Sequence, residues 1–567
     1  MPDGQPQLPS PRPQLLKSLP GVRRDGTKLQ GDNHISAEWC RWYLDMPRKM
    51  LGYRELRRDV SGVTRALDVQ SYNGYSYVHA GSQNVLQRFL VNQRSGLTTG
   101  IIDRTPAGFV QDPDNNWQFG LIYDTANDAN LFIAHAAPNI SAIDDDRERT
   151  VYFSEARVDT PLLPITGSDV SGGVVPMWPY LMRYGNDGEV AWNAPGDISN
   201  LTGTGSGSAR PWGTKVVRGL PLRGQQGPAT LFWHLDALTR AQFVGGTQIF
   251  NFDVITSSTA LLSSNSVIEH AGIYYWATVS GWQMFNGVVR DIPNDFNAQF
   301  WLDNLNWDYR QKVFVMKIPR WKEIWWCGPL FGASEPNWAV ILNYERGYWY
   351  DTPLPRSGTG FSAGVYEQIF HYPIVASPGL NDDTSGSSVW QHDFGLDEIS
   401  GQVATHKAVR SYYQTNEMNI VEPREIGQLG QNQSMSISLI EPDFNQKKDL
   451  QVFVISRANA RANRRMRGPL VIPEVPHGNE QTSKLKVSGR LNSFLVLSND
   501  MGGYYEAGVP MFHWQPGDGR TEDGGDQLTD VTPDPLVFDD QLPQSGIQPR
   551  GVHLPPHLLH GKQKVPS

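Results

Sequence analysis

Between Gln311 and Asp351 the chain writes out four short strands in succession. Lys312 to Ile318 (KVFVMKI) passes through Pro319-Arg320 into Trp321 to Cys327 (WKEIWWC). Asn337 to Asn343 (NWAVILN) then passes through Tyr344 to Gly347 into Tyr348 to Tyr350. β-Branched and aromatic residues fit a pleated, half-buried surface, and the intervening Pro, Gly and Asn supply turn conformations. Two hairpins in ~40 residues make one four-stranded antiparallel unit, the size of a propeller blade.

Looser copies of this pattern flank the unit. They lie at Gly74 to Ala80 with Val85 to Val91, Trp117 to Tyr123 with Leu131 to Ala134, and Tyr180 to Tyr184 with Glu189 to Trp192. Two more lie at Ile273 to Ala277 with Gly281 to Gly287, and at Ser388 to His392. The repeats agree in spacing and not in sequence, and an array of β-sandwiches uses the same alternation of strand and turn. With 55 Gly, 40 Pro and 18 Trp in 567 residues, long helices are not expected. The expected fold is mainly β: an irregular β-propeller over residues 61–430, with an additional C-terminal β module over 431–515 and extended termini.

The termini differ in composition from the blades. Met1 to Leu29 is polar, Pro-rich and aperiodic, so it is expected to be an arm that orders only against partners. The Gly/Ser-rich run Thr202 to Arg210 is expected to be a mobile loop. Residues 516–567, rich in Gly, Asp, Glu and Pro, are expected to be an extended or disordered tail. In the C-terminal module, Met435 to Ile440 and Leu450 to Ile455 alternate as half-buried strands, and Leu491 to Leu497 with Tyr504 to Val509 reads as a closing hairpin.

Two clusters stand out as contact surfaces. The N-terminal interface segment, within residues 1–60, holds Arg41, Trp42, Arg48 and Tyr53, residue types that supply rigid contact area at hot spots. An ordinary strand whose aromatics join the core accounts for them equally well. Arg461, Arg464 and Arg465 fall in the loop-like stretch Arg457 to Arg467; contact with DNA phosphates is one reading, and in an acidic protein a contact with an acidic neighbouring protein is the favoured expectation. The formal net charge of -9 argues against wrapping nucleic acid, while an acidic channel wall would let DNA slide past without sticking.

Catalytic constellations are missing from the sequence. Gly213-Thr214-Lys215 follows its Gly/Ser run in the wrong order for a phosphate loop, and Gly205-Ser206-Gly207 has the wrong spacing for a nucleophile elbow. Glu269-His270 lacks a second ligand at helical spacing, and Cys40 and Cys327 form no Cys-x-x-Cys pair. Asp144-Asp145-Asp146 reads as a solvated turn. The aspartate-box turn repeated in sialidase propellers is not found. No catalytic residue, cofactor or metal is therefore expected, nor membrane insertion, since no run approaches ~20 apolar residues.

Two groups of motifs resemble a known family. One is Leu19 to Thr27 (LPGVRRDGT), continuing through Trp39 to Tyr43 and Pro47 to Arg54 (PRKMLGYR). The other is Ser411 to Thr415 (SYYQT), Ser488-Gly-Arg490, Tyr504 to Gly508 (YYEAG) and Gly517 to Arg520 (GDGR). Together they resemble the tail nozzle, or tail tubular, proteins of short-tailed bacteriophages. The resemblance implies a non-enzymatic virion subunit, assembled in the host cytoplasm into a homohexameric ring of the tail. Such a ring docks the tail adaptor protein and a tail fibre or needle, and conducts the genome DNA during ejection without sequence-specific binding. The weakly glycine-rich closing hairpin and the long tail after Arg520 depart from the family pattern. The competing expectation is a glycan-binding or depolymerising virion protein acting on host surface polysaccharide.

Overall fold

A computed structural model describes residues 11–516, apart from 28–30, 73–74, 93–94, 113–114, 139–146, 225–226, 355–359, 379–385, 402–403, 419–433, 460 and 475–482. Strands dominate, and the one α-helix among the described residues is Ala298–Asn304. Each blade anticipated from the sequence is there as an antiparallel sheet. The unit that reads most clearly is Phe314–Ile318, Glu323–Gly328, Trp338–Asn343 and Trp349–Pro353, hydrogen-bonded in chain order.

Seven such sheets form the propeller. Their first strands are Thr64–Tyr72, Asn115–Asp124, Gly173–Met177, Val216–Pro221, Val267–His270, Phe314–Ile318 and Ala363–Val365; the first six sheets build outward from the first strand in chain order, and the seventh takes an N-terminal strand as its fourth. Except between the fourth and fifth blades, first strands of successive blades neighbour one another, and Ala363–Val365 returns to Thr64–Tyr72, so the ring closes. Between the fourth and fifth blades the link is a shared core, with the Trp233 and Trp276 rings 5.6 Å apart.

The fourth blade, Val216–Pro221 to Phe250–Thr256, is missing from the sequence reading. Its first strand carries Arg218, Gly219 and Pro221, which look like a turn, although its second, Ala229–His234, is fully buried. The Gly/Ser run also departs from expectation. Gly207–Ala209 is the outer strand of the third blade, paired with Val190–Trp192, because an edge strand needs backbone partners more than side-chain contacts.

Alternation along Glu323–Gly328 explains its tryptophans. Trp325 and Cys327 point into one core cluster, Ile324 and Trp326 into another, so a strand buried on both faces reads as continuously apolar. Where neighbouring blades approach closely, glycine stands on one side. A Cβ on Gly81 would lie 2.3 Å from Trp117 Cδ1, one on Gly120 2.1 Å from Pro176 Cγ, and one on Gly364 2.8 Å from Met316 Sδ. Gly81→Ala is therefore expected to cost about 1–3 kcal/mol through overpacking. Gly100→Ala, at a site with nothing within 4 Å, serves as the neutral control. Equal urea midpoints for the two variants would remove the packing argument.

The domain boundaries differ from those read in the sequence. Residues 53–61 belong to the propeller: Tyr53–Ser61 is the fourth strand of the seventh blade, antiparallel to Gly386–His392. The remaining N-terminal strands and the C-terminal module are one body. Ser36–Glu38 pairs with Ser411–Gln414 at the edge of a five-stranded sheet that continues through Leu491–Ser498, Leu450–Arg457 and Arg465–Ile472. Cys40–Tyr43 and Met46–Lys49 join Tyr504–Ala507 and Phe444–Lys447 in a second sheet. Arg12–Leu15 pairs with Met511–Pro516 in a third. The propeller is thus inserted in a β module made from both ends of the described chain.

Three expectations are corrected by this arrangement. The described part of the arm is built into the fold, with Leu16 and Val22 buried and Leu19–Val22 parallel to Asn33–His34, because its few apolar residues find a face in their own chain. Leu491–Ser498 and Tyr504–Ala507 do not pair with each other; the turn between them crosses from one sheet to another. The Arg457 to Arg467 stretch is a strand end, a turn and a strand start, not a loop throughout. The Asp144–Asp146 cluster and the tail beyond Pro516 lie outside the described residues.

Candidate functional site at the propeller and module junction

Blades six and seven share one core cluster with the β module, and a group of charges is buried inside it. Arg41 comes from the strand Cys40–Tyr43, Glu323 from the second strand of blade six, and Asp393 directly follows the third strand of blade seven. Three elements distant in sequence thereby meet on one guanidinium. Arg41 is 1% exposed, and its Nη1 donates to Asp393 Oδ1 and Oδ2 at 3.0 and 3.2 Å, its Nη2 to Glu323 Oε2 at 3.3 Å. Its Nε is 2.9 Å from Glu323 Oε1 but is not aligned to donate, so that contact is ionic rather than a hydrogen bond.

The carboxylates have further donors. Tyr350 Oη donates to Glu323 Oε1 at 2.6 Å and Trp325 Nε1 to Oε2 at 2.8 Å, while Trp321 Nε1 donates to Asp393. The guanidinium also lies 4.6 Å from the Trp321 ring centroid. Burial pushes both acids up, with different outcomes. For Asp393 the charge of Arg41, then His392 and the Trp321 hydrogen bond, outweigh burial and hold it below the usual carboxylate range. For Glu323 burial prevails and its carboxyl is raised. Burial lowers Arg41, but Asp393 and Glu323 more than compensate and hold it above its ordinary value.

A second buried pair reinforces the junction. Arg24 Nη2 donates to Asp351 Oδ1 at 2.7 Å, and Asn297 Nδ2 to Asp351 Oδ2 at 3.2 Å, so the N-terminal segment is tied to the outer strand of blade six. Tyr53 Oη donates to Glu398 Oε2 at 2.9 Å, and its ring packs 5.5 Å from that of Trp390. Trp42 is 1% exposed, 5.2 Å from the Tyr350 ring. Arg48, at the rim, pairs with Glu506 and covers Tyr43 and Trp321.

Of the residues singled out as interface anchors, Arg41, Trp42 and Tyr53 are therefore inside this chain, where the alternative of a core strand placed them. They have no surface to offer another subunit, because the module that buries them is supplied by the same chain. Arg48 keeps part of its surface. Arg461, Arg464 and Arg465 lie elsewhere, at the hairpin end of the five-stranded sheet: Arg461 exposed, the other two half-buried. Glu323, Asp393, Arg24 and Asp351 were not singled out. A sequence signal existed for Glu323, a lone acid in the apolar run Trp321 to Cys327, since a buried carboxylate needs a charged partner.

Chemically the junction is a lock. Both carboxylates are buried and saturated with donors, so they present no face to a substrate. Burial pushes the Cys40 thiol up to about 12 and Cys327 also well up, which keeps both protonated. No group of three or more His, Cys, Asp or Glu able to hold a metal occurs among the described residues, and no helix of the described chain is long and apolar enough to cross a membrane.

The geometry defines a seven-bladed propeller locked to a β module built from both ends of the described chain. No family model and no curated protein matches the chain. One similar solved structure is titled "Structure of U3-55K"; it matches 60% of this chain and 98% of its own at 10% identity, with a TM-score of 0.36, a likeness too low to carry a statement about function.

Proposed function

We propose that the chain is a structural subunit of the ring-shaped tail nozzle of a short-tailed phage, docking adaptor and fibre proteins and conducting the genome during ejection. One observation supports this reading above the rest. The described parts of the two motif groups that resemble nozzle proteins are far apart in sequence and touch in space. Arg48 of the first pairs with Glu506 of the second. Ser411 Oγ donates to the Trp39 carbonyl at 2.9 Å and lies 2.9 Å from Tyr505 Oη. Chance matches in aromatic and glycine-rich segments have no reason to converge on one module.

A second argument is mechanical. A subunit of a pressurised conduit must transmit load without its parts sliding, and a propeller fastened by buried ion pairs to a two-ended module meets that need. Electron microscopy of the purified full chain, and immunogold labelling of particles of the encoding phage, test the proposal. Closed rings with an axial bore, and gold on the tail axis, are expected. Label confined to the head shell or to fibre tips would overturn it.

A further inference from the structure

One edge of the β module carries unbalanced positive charge. Arg461 and Arg467 are exposed, Arg464 and Arg490 half-buried, and none of the four is paired with a described carboxylate, whereas their neighbour Arg457 pairs with Glu417. Arg464 Nη2 and Arg490 Nε are buried with no hydrogen-bond partner among the described residues. Burial pushes Arg464 below its ordinary range with no carboxylate opposing it. The four belong to one corner: Arg490 N donates to the Arg457 carbonyl at 3.2 Å, and Ser456 faces Arg465 where the hairpin closes. Buried guanidinium nitrogens without acceptors are costly and point to an anion that completes them.

The chain's own sequence holds such an anion close by. Residues 517–540 carry eight carboxylates (Asp518, Glu522, Asp523, Asp526, Asp530, Asp534, Asp539 and Asp540) against the single cation Arg520. The last described residue, Pro516, faces Met435, and Met435 faces Gly489 on its other side, next to Arg490. Two interstrand spacings place that exit about 10 Å from the arginine corner. A further 24 residues can reach up to about 80 Å. Tethering at that distance gives the segment an effective concentration that no free anion of similar charge matches.

We propose that the acidic segment 518–540 of this chain docks on the arginine corner formed by Arg461, Arg464, Arg467 and Arg490, completing it and masking it from other polyanions. The occupant is argued from charge and from where the described fold ends, independently of the nozzle reading. In this arrangement a basic corner of an acidic protein is covered until a competing anion displaces the segment.

The test compares the full chain with the full-chain variant E522Q/D523N/D526N/D530N. Hydrogen exchange of amides in 461–472 is expected to be faster in the variant, with the difference lost in high salt. A short DNA duplex, used as a polyanion probe, is expected to bind the variant about tenfold more tightly at low salt, since several surface ion pairs together amount to roughly that factor. Adding Arg461→Gln and Arg467→Gln, at exposed positions, should abolish that gain. Identical exchange in the two proteins, or a gain in DNA binding that survives the arginine changes, would overturn the docking. Protection that rises with protein concentration would instead assign the segment to a second copy and overturn docking within one chain.

Discussion

Replacing Arg41 with methionine is expected to lower the stability of the folded chain by about 3–5 kcal/mol, because it strands two carboxylates in a core that excludes water. Glu323 and Asp393 are fully buried, and the remaining donors, Tyr350, Trp325 and Trp321, are neutral. Neutralising the acids as well, in Arg41→Met/Glu323→Gln/Asp393→Asn, should recover most of the loss. The charge that is buried unpaired is what destabilises, not the absence of the ion pair. The pH dependence carries a sign. In the wild type Asp393 is held below the usual range, so its contribution is complete above about pH 4 and is lost as pH falls through its lowered folded value. Without Arg41, burial alone would raise both carboxyls, and the folded variant would regain relative stability as they take up protons. The gap between the two proteins, read from urea midpoints by tryptophan fluorescence, should therefore be widest near neutral pH and narrow on acidification. A gap that widens below pH 4 would refute the assignment.

Much of the architecture was legible because strand and turn chemistry are local. Phe314 to Pro353 announces itself through period-two apolar runs and Pro, Gly and Asn turns, and the structure pairs those runs in that order. The fourth blade escaped because Gly219 and Pro221 sit within its first strand, where they read as punctuation. What no local pattern can show is which distant segments share a sheet. The N-terminal segment and the C-terminal module each read as separate pieces, since neither Ser36–Glu38 nor Ser411–Gln414 contains information about the other that one sequence can display.

The site was legible in its residue types and not in its geometry. Arg41, Trp42 and Tyr53 were expected as interface anchors and lie buried in the chain, because an arginine beside aromatics has the same signature at an interface and in a buried junction. The difference lies in Glu323 and Asp393, which reach Arg41 only because blades six and seven bring them there, 282 and 352 residues away in the chain. The arginines near 457–467 pose the opposite case. Their clustering was visible, but that four of them pair with no described carboxylate emerges only when the sheet is assembled.

Val60→Asp is expected to cost more than about 4 kcal/mol, the range reached when an unpaired charge enters a core. Val60 is 1% exposed and faces Ser387 across the seam where Tyr53–Ser61 completes the seventh blade. Its side chain belongs to the cluster that also holds Val69, Val78 and Phe89 of the first blade, so it bridges the two ends of the ring. Opening this seam differs from disturbing any other outer strand. The same nine-residue strand continues from the module strands Cys40–Tyr43 and Met46–Lys49, so its detachment releases the propeller from both its own closure and the Arg41 junction. Val254→Asp, on the outer strand of the fourth blade and 49% exposed, is the matched control and should be close to neutral. Thermal melting should separate the two variants clearly. Limited proteolysis of Val60→Asp should cut first within or beside 53–61. Similar melting for both variants, or first cleavage within another blade, would show that the ring does not depend on this seam.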